Sequence, residues 1–422
     1  MISIVRKKIS LVTQGKIQNS LSELKKMKKS KGTTMGAAFL MAASAVGPGF
    51  LIQTSFFTSR YKSDFIFAII LSTIVALIVQ MNLWRIIGVS GMRGQDIANR
   101  VAPGLGYLVA LLISLGGLAF NIGNIAGAAL GFNILMGIEP SIGAVIAGGL
   151  CSLIFIARDS GAVMENFTKV LAIVLVTLVG YTLFKINPPA SVILHKNLNP
   201  ENFRNLIFPM MTIIGGTIGG YISFSGGHRL IETELTGKNN LKKIDGSACI
   251  GVLLSTFIRL MLFFAVLGII SKMGDLHSIN PEASDLRHVS GIFGYKIFGV
   301  ILLLASITSI VGSAYTSVSF IKTLFPVVEK NEKFSMIFFT AFSALMMALM
   351  GNPVVLLLVA GTFNGIILPV VLAIILLASK NKTVIGENYK HSEILTLLGF
   401  IVVMVLWLGG MESLDKIIAY FL

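Results

Sequence analysis

Residues 215–227 read Gly215-Gly216-Thr217-Ile218-Gly219-Gly220-Tyr221-Ile222-Ser223-Phe224-Ser225-Gly226-Gly227, six glycines in thirteen residues near the end of an uncharged stretch, 205–227. A bilayer-spanning helix needs about 20 mainly apolar residues. The stretch is long enough, yet glycine at that density disfavours a continuous helix. A second interruption stands in stretch 32–59, where Gly47-Pro48-Gly49 falls mid-span. Pro48 removes a backbone donor and obstructs the preceding turn, and the glycines permit unwinding. Unwound backbone at membrane depth persists only where protein or an aqueous cavity satisfies it. Paired interruptions in corresponding halves point to a transporter's binding site.

Outward from these two breaks, further stretches free of Asp, Glu, Lys and Arg lie at 65–84, 101–138, 140–157, 170–184, 297–321, 334–379 and 394–411, and 246–271 joins them with Arg259 as its one charge. Stretch 334–379 holds the turn signal Asn352-Pro353 and divides in two; 101–138 is about 57 Å as a helix, one long tilted span. The reading is an all-α integral membrane protein of about eleven transmembrane helices. Spans one to five (35–190) and six to ten (200–380) each open on a broken helix, and five per half makes the two repeats inverted. A basic cytoplasmic tail, 1–34, precedes them, and 391–422 holds the eleventh helix and the C-terminus.

The composition agrees: of 422 residues 55% are hydrophobic and 13% charged, against about 25% charged in soluble domains. The net charge of +15 is explained by membrane topology and anionic lipid rather than by nucleic acid, because most Lys and Arg fall on the inner side if the N-terminus is cytoplasmic and the C-terminus extracytoplasmic. No removable signal peptide is expected. Cys151 and Cys249 have no ligand spacing and read as small core residues.

Polar residues then mark the expected centre. Gln53 follows the first break; Asn121 and Asn124 share a face of the third span; Ser309 begins a hydroxyl stripe on the eighth; Asn364 interrupts the tenth. Phe50, Tyr221 and Ser223 flank the breaks. His228 and Glu232, one turn apart, are a candidate proton relay or a mark of the membrane boundary. An intramembrane arginine such as Arg259 is a functional candidate, for a substrate carboxylate or a helix carbonyl.

The Gly-Pro-Gly break, Gln80-Met81-Asn82-Leu83-Trp84-Arg85, Gly94-Gln95-Asp96-Ile97-Ala98 and Gly361-Thr362-Phe363-Asn364-Gly365-Ile366-Ile367-Leu368-Pro369 resemble natural-resistance-associated macrophage protein (NRAMP) transporters, in particular a bacterial NRAMP-related branch. The resemblance implies the leucine-transporter fold, a multi-pass protein of a bacterial-type cell membrane, and proton-coupled import of divalent metal. The family's first-span motif, Asp-Pro-Gly-Asn, stands here as Gly47-Pro48-Gly49-Phe50, and its sixth-span methionine followed by Pro-His stands as Gly219-Gly220-Tyr221. A transition metal prefers sulfur, imidazole or carboxylate donors; here hydroxyls, amides and backbone remain, and the metal ligands are unknown.

Two substrate classes therefore stay open. A hard ion such as Mg²⁺ keeps its waters and accepts carbonyl oxygens. A small carboxylate, an amino acid or a 5-oxoproline-like cyclic derivative, suits half-helix N-termini, with their free N–H groups and positive dipole ends. The expected substrate-binding set is Gly47, Pro48, Gly49, Phe50, Gln53, Asn121, Asn124, Gly219, Gly220, Tyr221, Ser223, Ser309 and Asn364, with His228, Glu232 and Arg259 as coupling candidates. Proton or sodium coupling is open, and no cofactor is expected. No HExxH, GxSxG or P-loop pattern occurs, so an enzyme is not expected; a non-transporting membrane sensor is the remaining alternative.

Overall fold

Every regular element among the described residues is a helix. The computed structural model describes residues 38–156, 173–185, 202–273 and 281–421, apart from 39, 40, 43, 44, 175 and 182. Residues 38, 41, 42 and 45 are helical and lead to a bend at Val46 and Gly47, after which α1 runs Pro48–Tyr61. Then follow α2 (Phe65–Ser90), the short α3 (Gly94–Val101), α4 (Leu105–Met136) and α5 (Pro140–Ile156). Residues 173–185 are helical where described. Two halves of one interrupted span, α6 (Phe203–Ile218) and α7 (Tyr221–Glu232), come next. The remainder is α8 (Leu241–Met273), α9 (Pro281–Leu324), α10 (Pro326–Lys330), α11 (Glu332–Met350), α12 (Pro353–Ala378), α13 (Lys382–Ile385) and α14 (Glu393–Phe421).

Eight stretches among the described residues are long and apolar enough to cross a membrane. One of them, Pro48–Ser90, is 43 residues long and holds two of the expected spans, α1 and α2; α5, with 17 residues, is shorter than a span. The basic tail 1–34 and part of the fifth expected span lie outside the described residues. Stretch 101–138 is one uninterrupted helix, α4, between Gly104 (φ 91°) and Gly137 (φ 73°), left-handed positions that suit glycine. Stretch 334–379 divides where expected. Gly351 (φ 73°) ends α11, and the Asn352 side chain accepts from the Val355 N–H at 3.2 Å to start α12.

Burial separates centre from rim. The apolar window of Phe203–Glu232 is 94% buried, against 33% for Glu332–Met350 and 39% for Glu393–Lys416. The α6–α7 pair is thus the axis of the bundle, while α11 and α14 present Phe334, Leu349, Ile394 and Met404 outward, as a lipid-facing surface requires. The most extensive helix contact joins α4 to α9.

The glycine-rich stretch unwinds less than its composition suggests. Only Gly219 and Gly220 leave the helix; Gly215, Gly216, Gly226 and Gly227 stay helical. These four allow close packing: a Cβ on Gly226 would lie 2.1 Å from the Trp84 ring, and one on Gly216 2.3 Å from Gln53 Oε1.

The end of α2 is a set of staples. Trp84 Nε1 donates to Ser223 O at 2.9 Å, Arg85 forks onto Asp245 at 2.6 and 2.8 Å, and Asn82 Nδ2 donates to Leu395 O at 3.0 Å. Asn82 Oδ1 also meets His391 Nε2 at 3.0 Å, and His391 Nδ1 lies 3.1 Å from the Tyr389 hydroxyl. Burial first, and then the charge of Arg85, push the His391 imidazole from 6.5 down to about 4. A base with a lowered native pKa binds fewer protons folded than unfolded, so its contribution is complete above about pH 6.5 and is lost as pH falls towards 4. Replacing His391 with Gln is expected to flatten part of the acid slope of thermal stability between pH 6.5 and 4. An unchanged slope, read by thermal unfolding in detergent, rejects the assignment.

Candidate functional site

Two interruptions face a common centre. At the first, Gly47 is extended (φ −93°, ψ −173°) and Pro48 begins α1, where its missing N–H costs nothing because the first turn has no intrahelical acceptor for it. At the second, Gly219 ends α6 and Gly220, at φ 53° and ψ −127°, begins α7; positive φ suits only glycine well here. Each break brings together carbonyls of one half-helix and free N–H groups of the next.

Between them lies a cavity lined by Gly47, Gly49, Phe50, Asn124, Gly216 and Tyr221, with Phe120, Leu357 and Ala360 closing it. It leaves about 10 Å³ open to the centre of a water, room for one molecule. Tyr221 meets Phe120 edge-on at 5.4 Å. Gly127 makes room for Pro48: a Cβ there would fall 2.2 Å from the proline ring. The Ser309 hydroxyl would stand 3.0 Å from a Cβ on Gly47, and Asn124 Oδ1 3.8 Å from it.

Gln53 joins three helices. Its Nε2 donates to Leu357 O at 2.9 Å, and its amide is packed against Gly49, Gly216 and Gly361. Its Oε1 has no hydrogen-bond partner among the described residues. Asn364 holds the second break: Nδ2 donates to Gly116 O and Ala360 O, both at 2.9 Å, while Oδ1 stands unpartnered beside Gly220. Asn124 Nδ2 is likewise unpartnered.

Four further expected residues stand away from the cavity. Asn121 is turned away from the cavity wall, its Nδ2 donating to Ser343 at 3.0 Å and its Oδ1 accepting from Ser313 at 2.7 Å, a brace between α4, α9 and α11. Ser223 donates to Ile218 O and closes the turn across the second break. His228 and Glu232 are not joined. His228 is buried, stacked on Phe320 at 5.5 Å, its Nε2 accepting the Gly94 N–H at 3.3 Å. Glu232 is exposed and pairs with Arg229 at 3.1 Å. Helical spacing put both on one side of α7, but α3 and α9 cover only the inner part of that side.

Arg259 is 4% exposed, with its guanidinium 4.2 Å from the ring centroid of Phe50, which lines the cavity. Its one hydrogen bond among the described residues runs from Nη1 to Ile213 O at 3.4 Å. Sequence reasoning missed the hydroxyls around it, which lie on three different helices. It also missed a wide vestibule of about 660 Å³, lined by Phe56, Phe57, Tyr61 and Phe208 with Arg60 and Lys416 as its charges. No group of three or more His, Cys, Asp or Glu able to hold a metal occurs among the described residues.

Comparison with known proteins bears on the family and the fold. The model of the natural resistance-associated macrophage protein-like family matches residues 38–412. The uncharacterized membrane protein YcsG of Bacillus subtilis is 45% identical over 380 residues, 90% of this chain and 93% of that one. The divalent metal cation transporter MntH of Bradyrhizobium diazoefficiens is 22% identical over 66% of this chain and 67% of that one. Among solved structures, the manganese transporter of Eremococcus coleocola superposes with a TM-score of 0.74 at 17% identity, over 92% of this chain and 87% of that one. The fold is therefore of the leucine-transporter type.

Proposed function

The chain belongs to the natural resistance-associated macrophage protein-like family of membrane transporters, and from that premise we propose that it is a secondary carrier working by alternating access through the cavity between its two helix breaks. It is not an enzyme. In this reading it sits in a bacterial cell membrane with the N-terminus inside, and a proton or sodium gradient drives it.

The substrate favoured is a small organic carboxylate. The observation that carries this is a charge imbalance: no acid among the described residues lines the central cavity, while a buried guanidinium stands against its Phe50 wall. A divalent cation would have to enter that region without formal countercharge and beside a fixed positive one, which is costly at low dielectric. Among the described residues the vestibule adds two cations and no acid, a field that concentrates anions at its mouth. The free N–H groups at the starts of α1 and α7 suit a carboxylate.

A second reading is supported by the unpartnered oxygens Gln53 Oε1 and Asn364 Oδ1. Acceptors without donors suit a hard, partly hydrated ion such as Mg²⁺, in keeping with the metal-transporting relative. Thermal unfolding of the purified protein against divalent metals, amino acids and small carboxylates separates the two, since a specific ligand stabilises by RT ln(1 + [L]/Kd). Stabilisation by a carboxylate and not by Mg²⁺ or Mn²⁺ is the expected result. Stabilisation by metal alone reverses it, and flux into sealed vesicles, with each gradient collapsed in turn, tests carriage itself.

A further inference from the structure

Beside Phe50, which also lines the central cavity, α2, α6 and α8 line a second small space. It too leaves about 10 Å³ open to the centre of a water-sized body, so one small ion or one end of a larger molecule fits. Arg259 stands in its wall, and two of its guanidinium nitrogens, Nε and Nη2, have no hydrogen-bond partner among the described residues. Ser72 Oγ, in the same wall, has none either. The other hydroxyls are committed. Thr73 bonds to Ile69 O at 2.8 Å and to Thr256 at 3.0 Å, Ser255 donates to Val252 O at 2.8 Å, and Thr217 donates to Ile213 O.

The unpartnered groups are therefore all able to donate, and one of them carries a full charge. No Asp or Glu among the described residues lines the space. A buried cation without an anion costs far more than one that is paired and hydrogen-bonded. Water would satisfy the donors but not the charge. Phe50 stacked on the guanidinium recovers part of that cost and holds its plane, leaving the edge with Nε and Nη2 free to bond.

We propose that Arg259 and Ser72 form a binding subsite for one small monovalent anion. Its shared chemistry is a single negative charge accepting guanidinium and hydroxyl hydrogen bonds, from either a free halide or the carboxylate end of a substrate reaching past Phe50. The second source rests on the carboxylate-carrier reading above; the first does not. Because Phe50 lines both spaces, occupation here sets the position of the cavity wall.

The test is thermal unfolding of the full chain in detergent, in a buffer whose only anion is methanesulfonate, too large for the space. Chloride, bromide and acetate are then titrated separately. A saturable rise with chloride or bromide in the native protein, absent in Arg259→Gln, assigns the halide source; a rise with acetate alone, also lost in the variant, assigns the carboxylate source. No rise with any of the three, or an equal rise in Arg259→Gln, overturns the subsite. Should that variant not fold, Ser72→Ala decides: one hydrogen bond to a charged group is worth about a tenfold change in affinity, and an unchanged titration midpoint rejects the proposal. Vesicle flux stands apart from this test. Anion binding without flux of any solute removes the carrier reading and leaves the subsite, whereas flux without an anion response removes the subsite alone.

Discussion

Alanine at Gly215 is expected to lower thermal stability sharply and to abolish folded protein at growth temperature. The added Cβ would fall 1.9 Å from the Gly361 carbonyl oxygen and 2.3 Å from the Gly365 nitrogen. Both are backbone atoms of α12, so no side chain is able to rotate away, and α6 and α12 must separate. Gly361 and Gly365, four residues apart on one face, are crowded in return by the Thr212 and Met211 carbonyls of α6, at 2.7 and 2.5 Å from their own ideal Cβ positions. This is a small-residue seam in which backbones approach closely because nothing larger fits. Overpacking typically costs about 1–3 kcal/mol, and collision with backbone places this case at the upper end or beyond. The control is Gly312→Ala on α9, where an added Cβ meets nothing within 4 Å; its stability is expected to stay within about 1 kcal/mol of the native protein. Size-exclusion and fluorescence melting of both variants read the difference directly, and equal melting temperatures would refute the seam.

Aspartate at Gly47 is expected to create Mn²⁺ binding that the native chain lacks. The new Cβ has Ser309 Oγ at 3.0 Å and Asn124 Oδ1 at 3.8 Å. The serine must yield by a few tenths of an ångström, after which a carboxylate, an amide and a hydroxyl share one spot beside free backbone carbonyls. A unit charge pair at 4 Å is worth about 4 kcal/mol at an effective dielectric of 20, and a divalent ion feels twice that before desolvation. The expected gain in Mn²⁺ affinity is at least on the order of tenfold, seen as metal-dependent stabilisation in Gly47→Asp only. If the native protein already responds to Mn²⁺ as strongly as the variant, the argument from missing charge is wrong, and the cavity holds metal through neutral oxygens.

Much of the site was legible because its cause is local. Pro48 removes a donor from its own turn, and Gly220 takes a backbone angle that other residues avoid, so the two breaks follow from single residue types. Asn124 and Tyr221 were also legible as polar or aromatic residues close to a break and both line the cavity, whereas Gln53 and Asn364, equally close to a break, tie their helices to neighbouring carbonyls. Asn121 looked equivalent to Asn124 at a helical spacing of three. The difference lies in α9 and α11, whose Ser313 and Ser343 take up its amide. His228 and Glu232 likewise shared a helical side until α3 and α9 buried the first and left the second exposed.

The sequence by itself determined that this is a membrane bundle, where its helices run and where two of them break, because hydropathy over some twenty residues and the chemistry of proline and glycine act along the chain. Only the tertiary structure decided which glycines unwind and which seat a neighbouring helix, and that Arg259 lies buried against Phe50 with two donors and, among the described residues, no countercharge. Those properties belong to atoms brought together from α2, α6, α8 and α12, and no spacing along one strand of sequence records what a different helix will place against it.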